Sequence, residues 1–178
     1  MPESHGGITE LPDCQYLLDN LEQRLRQEID QRQLSDPIMI GIHSGGVWIA
    51  EQIHRRLGIG EPLGKLDITF YRDDFSQIGM HPQVQASQLP FTLEGRDILL
   101  IDDVFYTGRT IRAALNEIFD YGRPSQVLLG VLIERDGREI PLRPDCAGGT
   151  LTLPPGQRIK LTGPAPLALS VHTLGETA

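Results

Sequence analysis

The sequence predicts an α/β protein: an open, mostly parallel, twisted sheet with helices on both faces and a small hood. Three observations predict it. Short apolar runs bounded by turn residues recur along the chain, as buried parallel strands require. Amphipathic stretches of helical period alternate with them, which is the order of βαβ units. Glycine, proline and serine gather between the two kinds of segment and end each in turn.

In chain order, residues 1–10 are polar and expected to fray. Asp13 is a plausible N-cap for a helix carrying Leu17, Leu18, Leu21, Leu25 and Ile29, which should end before Ser35-Asp36-Pro37. PIMIGI, 37–42, is the first buried strand. A Ser/Gly turn at 43–46 leads to a second helix with Val47, Ala50, Ile53 and Leu57, stopped by Gly58 and Gly60. LDITFY, 66–71, alternates as a strand does. The stretch 72–91 is polar, holds Gly79, Pro82 and Pro90, and has no period, so it reads as a long loop with a function. DILLI, 97–101, is the next strand. A helix follows from Thr110 to Tyr121, ended by Gly122 and Pro124, and then the strand QVLLGVLI, 126–133. Beyond Gly137 the apolar runs near 158–162 and 167–171 suggest edge strands or the hood.

Composition bounds the function. The 178 residues suit one domain, 1–178, and 39% hydrophobic with 22% charged residues excludes wholesale disorder. No apolar run approaches the ~20 residues of a membrane span, so no membrane partner is expected. The start, MPESHGGITE, lacks the basic and apolar regions of a secretory signal, which points to the cytoplasm. Cys14 and Cys146 form no CxxC pair and the five histidines no ligand cluster, so reduced cysteines and no protein-held metal are expected. A net charge of −8 argues against a broadly basic nucleic-acid surface but leaves room for a local patch.

The chemistry lies in ILLIDDVFYTGRT, 98–110. Four apolar residues make a strand, and Asp102 and Asp103 stand where it is expected to end. Two carboxylates there can reach a polyol in the crevice at the carboxyl edge of the sheet. Thr107-Gly108-Arg109-Thr110 then opens a helix, whose first amides lack helical acceptors and lie at the positive end of the dipole. That is an anion site. Gly108 lets the main chain approach the anion, and Thr107 and Thr110 add hydroxyls. Carboxylates for sugar hydroxyls beside an anion cradle describe a receptor for a ribose 5-phosphate.

This string resembles the 13-residue phosphoribosyl pyrophosphate (PRPP) signature of the type I phosphoribosyltransferases. YRDDFSQ at 71–77, ALNEIFDYGRPSQV at 114–127 and REIPLRPD at 138–145 narrow the resemblance to the PyrR family, bifunctional regulators of pyrimidine genes and uracil phosphoribosyltransferases. The resemblance implies the type I phosphoribosyltransferase fold. It also implies that Asp102 and Asp103 bind the ribose hydroxyls, that Tyr106, Thr107, Gly108, Arg109 and Thr110 hold the 5-phosphate, and that Mg²⁺ comes bound to PRPP. IGIHSGGV, 40–47, matches the family's pyrophosphate loop in position, with His43, Ser44, Gly45 and Gly46 offering amides to an anion. It departs from the commoner pattern, because His43 and Gly45 stand where arginines are expected. Tyr71-Arg72-Asp73-Asp74 resembles the loop that closes over PRPP, which makes Arg72 the candidate cation facing the leaving group. The base is expected near 134–137.

The reaction implied is uracil plus PRPP giving UMP and pyrophosphate, without a covalent enzyme intermediate. The family also implies binding of pyrimidine-operon leader RNA and association into a homodimer or larger assembly. Arg24, Arg26, Arg32, Arg138 and Arg143 are candidates for a cationic patch, although Glu22, Glu28 and Asp30 interleave with the first three. Two alternatives stand beside the enzyme: a regulator sensing UMP and PRPP with feeble catalysis, and a purine phosphoribosyltransferase.

Overall fold

Among residues 10–68 and 87–175, those that the computed structural model describes, three helices lie among seven strands, and the last four strands follow one another without a helix between them. Helix α1 spans Cys14–Gln31, β1 Ile38–Ile42, α2 Gly45–Leu57, β2 Gly64–Leu66, β3 Asp97–Phe105, α3 Arg109–Tyr121 and β4 Gln126–Arg135. Strands β5 Cys146–Leu151, β6 Gln157–Thr162 and β7 Ala168–Thr173 follow. Five strands form one sheet in the order β2-β1-β3-β4-β5, every pair parallel. Strands β6 and β7 form a separate antiparallel hairpin.

The alternation of side chains along each strand feeds two cores. Met39, Leu99, Ile101, Leu128 and Leu132 point to one face, where Leu17, Leu21 and Leu25 of α1 and Ile49 and Ile53 of α2 cover them. Ile38, Ile40, Leu100, Leu129 and Val131 point to the other, under Ile111, Ala114 and Ile118 of α3. A period of two in the strands and 3.6 in the helices thus dictates a sheet covered on both faces. Asp13 caps α1 by accepting the Tyr16 amide at 3.1 Å, and Gly58 ends α2 in the left-handed region at φ 66°.

Four expectations need correction. The strand expected at 66–71 is Gly64–Leu66; Asp67 and Ile68 have left it, and 69–71 fall outside the described residues. Strand β3 runs on from Ile101 to Phe105, so it does not end before the two aspartates. The chain from 87 is no simple loop: Gln88 bridges to Lys65, and Leu89 and Phe91 pack on the second core. Strand β5 was not expected at all, because CAGGTL has no apolar run. Its glycines serve packing. A Cβ at Gly148 would run into the Leu17 carbonyl oxygen, and Asn20 Nδ2 donates to the Gly148 carbonyl at 3.1 Å, so α1 lies flush on the sheet edge. The fraying expected at 1–10 concerns residues almost wholly outside those described.

The hairpin is the expected hood. Leu161 is buried in the first core, with Ile159, Leu167 and Leu169 packed beside it. Arg158 and Ile159 face back toward the carboxyl edge of the sheet, where they line a cavity.

Both cysteines are free and buried. Burial, followed by the negative charges of Glu28 and Asp145, pushes the Cys146 thiol up to about 12. The native protein should therefore leave Cys146 unmodified by an aromatic disulfide reagent at pH 8, and unfolding should expose it to rapid reaction. The sign for stability follows. An unfolded chain loses this proton near the ordinary thiol value and the native chain does not, so the contribution of Cys146 falls as pH rises above about 9. Urea titrations of the protein and of Cys146→Ala between pH 7 and 10.5 should show a shallower decline in the variant.

Candidate functional site

The crevice exists because strands of unequal length lie side by side. Pairing of β1 with β3 stops at Gly41 against Ile101, whereas β3 and β4 stay paired as far as Phe105 against Glu134. Past Ile101, β3 therefore has a free edge on the β1 side, and Asp102 and Asp103 occupy it. Asp102 is only 2% exposed, and its Oδ1 accepts the Asp103 amide at 2.9 Å. Asp103 Oδ1 accepts the Val104 amide at 2.8 Å. These local bonds hold two neighbouring carboxylates where the strand leaves the core.

The turn after β1 lies directly against them. Its His43 amide donates to the Leu66 carbonyl at 2.9 Å, and the His43–Ser44 peptide is cis. A Cβ at Gly45 would collide with the Asp103 carboxylate, and one at Gly46 would stand 2.8 Å from the Ile101 carbonyl oxygen and 3.0 Å from Asp102 Cα. Glycine at 45 in place of the expected arginine thus has a physical reason: the position faces a carboxylate with no room for a side chain. Helix α2 begins at Gly45, and Ser44 caps it without a side-chain hydrogen bond.

On the other flank, Gly108 is the N-cap of α3 with φ 94°, a conformation that favours glycine, and a Cβ there would stand 2.8 Å from Ile140 Cγ1. The Arg109 amide donates to Thr107 Oγ1 at 3.2 Å, while the Thr107 carbonyl accepts the Glu139 amide at 3.0 Å. Arg109 Nε pairs with Glu139 Oε2 at 3.0 Å on the rim. Gly108 has no side chain to cap α3; apart from the Arg109 amide, taken by Thr107 Oγ1, its first turn stands at the cavity wall, which Gly108 to Ile111 line.

A cavity of about 520 Å³ results, lined by every residue from Asp102 to Ile111 together with Arg135, Glu139, Arg158 and Ile159. The structure thus brings together Asp102, Asp103, Tyr106, Thr107, Gly108, Arg109 and Thr110. Gly45 and Gly46 lie against Asp103 and Asp102 without lining this cavity, and His43 and Ser44 of the same turn do not line it either. Arg72 lies outside the described residues. Sequence reasoning places the base near 134–137, which contains Arg135, without singling out a side chain; it missed Glu139, Arg158 and Ile159. An arginine closing an otherwise apolar strand was the one signal for Arg135; the hood pair has none. The Arg135 guanidinium lies over the Tyr106 ring, 3.9 Å from its centroid, and a Cβ at Gly137 would run into the same ring.

Of the arginines considered for a cationic patch, Arg26 pairs with Glu22 at 2.9 Å, and Arg32 with Glu28 at 2.8 Å and Asp145 at 2.6 Å. Arg143 stands 3.9 Å from Glu134. Arg24 and Arg138 are exposed. Among the described residues no helix is long and apolar enough to cross a membrane.

Residues 7–151 match the phosphoribosyl transferase domain family. Proteins named bifunctional protein PyrR are similar over most of the chain. That of Nitrosococcus oceani is 54% identical over 163 residues, 90% of this chain and 92% of the relative. That of Pseudomonas aeruginosa is 51% identical over 168 residues, 94% of this chain and 99% of the relative. Among solved structures, a hypoxanthine phosphoribosyl transferase of Trypanosoma cruzi superposes with a TM-score of 0.62 at 15% identity, covering 86% of this chain and 83% of that one. A purine phosphoribosyltransferase of Pyrococcus horikoshii gives 0.57 at 19%, covering 78% and 88%. At such identities the two structures speak for the fold alone.

The close approach of the turn to β3 has a measurable consequence. Gly46→Ala should cost about 1–3 kcal/mol in urea unfolding, because backbone rather than a flexible side chain must give way. Gly60→Ala, at a position with open space around it, should stay within about 0.5 kcal/mol.

Proposed function

Because the chain belongs to the phosphoribosyl transferase family, within its PyrR branch, we propose that it converts uracil and PRPP to UMP and pyrophosphate in the crevice at the carboxyl edge of its sheet. The observation that carries the site assignment is the lining of one cavity by Asp102, Asp103 and the whole turn 106–110. Asp102 and Asp103 accept hydrogen bonds from the ribose hydroxyls. The amides of the turn, with Thr107 and Thr110, hold the 5-phosphate at the positive end of α3. His43, Ser44, Gly45 and Gly46 offer the pyrophosphate main-chain amides across the free edge of β3.

Uracil N1 forms its bond to ribose C1 as the C1–oxygen bond to pyrophosphate breaks, the bonding pair leaving with pyrophosphate and the N1 proton passing to solvent or to a nearby base. The transition state is oxocarbenium-like, so negative groups near the ring and positive ones at the leaving group both favour it. Holding the two substrates in line supplies much of the rest. Arg72 is our candidate for a cation on the leaving pyrophosphate.

Mg²⁺ enters with PRPP. Phosphate oxygens with one or two carboxylates are the donor set this ion prefers, and Asp102 and Asp103 bring carboxylates to the pocket. The ion supplies charge neutralisation on pyrophosphate.

The same occupied site carries the regulatory half of the function: UMP or PRPP bound there sets the affinity for pyrimidine-operon leader RNA. The exposed Arg24 and Arg138 are the arginines we favour for phosphate contact, since Arg26 and Arg32 already have carboxylate partners. The working form is a cytoplasmic homodimer or larger homo-oligomer.

Two outcomes test this reading. With Mg²⁺ present, the protein should convert labelled uracil to UMP only when PRPP is added, with hypoxanthine and guanine inert in competition; preference for a purine would overturn the assignment. The double variant Asp102→Asn with Asp103→Asn should lose calorimetric PRPP binding while keeping its helical circular dichroism, and unchanged PRPP affinity would remove the site.

A further inference from the structure

Among the described residues three carboxylates line the cavity, Asp102, Asp103 and Glu139, and Glu139 has no part in the reading above. Its main chain is built into the back of the candidate phosphate turn. The Glu139 amide donates to the Thr107 carbonyl at 3.0 Å. The next residue, Ile140, lies so close to Gly108 that a Cβ there would stand 2.8 Å from its Cγ1. The Glu139 side chain, by contrast, is half exposed and reaches across the rim, where Oε2 accepts from Arg109 Nε at 3.0 Å. The backbone is thus fixed to the turn, and only the carboxylate has to move when a partner is exchanged.

The place of Arg109 explains why a carboxylate is held there. Arg109 opens α3, directly after the N-cap Gly108. A cation in that position stands at the positive end of the helix, where negative groups are favoured and positive ones are not. The first turn of α3 has no acidic residue of its own. Glu139, brought from the segment after β4, supplies the missing negative charge to the guanidinium and to the helix end together.

The 5-phosphate calls on the same positive end, so it meets a charge of its own sign. The pair it must break is weak. Arg109 and Glu139 side chains are 43% and 52% exposed, and water screens them. A phosphate carries more charge than one carboxylate and suits the planar fork of a guanidinium at least as well. The phosphate therefore wins the exchange, at an affinity lower than an uncharged residue at 139 would allow.

We propose that Glu139 is a positioning residue that acts through Arg109 as a resident anion: its carboxylate competes with the 5-phosphate for Arg109 and for the positive end of α3. It yields Arg109 as the ligand binds and reclaims it as the ligand leaves. The competition lowers affinity for every ligand with a 5-phosphate, whatever stands at C1, and speeds release of the product. The inference rests on the phosphoribosyltransferase reading and adds to it a residue that works against tight phosphate binding.

Calorimetry with ribose 5-phosphate and UMP tests it on the full-length protein. Glu139→Gln keeps the size of the side chain and removes its charge, and should tighten both ligands about threefold or more. Stopped-flow displacement of UMP should show correspondingly slower dissociation. Glu139→Asp, which keeps the charge, should stay within about twofold of the unaltered protein. Asp120→Asn, at the far end of α3 and beyond a screening length, should change either affinity less than about 1.5-fold. Weaker or unchanged binding in Glu139→Gln would mean that Glu139 only braces the turn, and would overturn the proposal. Equal tightening in Asp120→Asn would overturn it too, as an effect of net charge alone. Should Glu139→Gln not fold, Glu139→Ala, which leaves the main-chain bond to Thr107 in place, carries the same expectation. Failure of both ligands to bind the unaltered protein and its variants alike would instead overturn the phosphoribosyltransferase reading, and this inference with it.

Discussion

The site depends on one close approach: the turn after β1 lies so near β3 that Gly45 and Gly46 touch the Asp103 carboxylate and the Ile101–Asp102 backbone. A side chain at either position would push the turn outward and widen the crevice. That approach also brings the start of α2, at Gly45, to the same edge of the sheet as the start of α3, at Arg109. Two helix N-termini therefore lie at the same edge of the sheet, with the carboxylates of Asp102 and Asp103 near both. Positive helix ends favour anions, and the carboxylates favour hydroxyls and developing positive charge. A sugar with phosphate at one carbon and pyrophosphate at another matches this order of charges.

The far side of the crevice is built from parts distant in sequence. Strand β4 brings Arg135, the segment after it brings Gly137 and Glu139, and β6 brings Arg158 and Ile159. Arg135, on β4, joins the turn after β3 to the hood, since it lies over Tyr106 and donates to the Gln157 carbonyl.

Much of this was legible in the chain. Strong local periodicity located α1, β1, α2, α3 and β4 within a few residues, because each buries a continuous face. The string 98–110 carried the candidate phosphate turn for a similar reason: its chemistry is contiguous. What local pattern could not show was tertiary in origin. Strand β5 has glycines where an apolar run was sought, because α1 presses on it through the Leu17 carbonyl. Strand β3 continues through two aspartates, against their low strand preference, because β4 pairs with it as far as Phe105. Arg135 became visible as part of the cavity wall only once β4, Tyr106 and the hood were assembled around it. Likewise, glycine at 45, a departure from the commoner pattern in the sequence, became intelligible when Asp103 was found in the space.

Everything turns on whether phosphate and ribose sit where the amides of α3 and the paired carboxylates place them. A crystal structure of the protein with UMP tests this most directly. The account predicts the phosphate on the main-chain amides between Thr107 and Thr110, and the ribose hydroxyls within hydrogen-bond distance of Asp102 and Asp103. A nucleotide lodged elsewhere, with that turn bare, would contradict it.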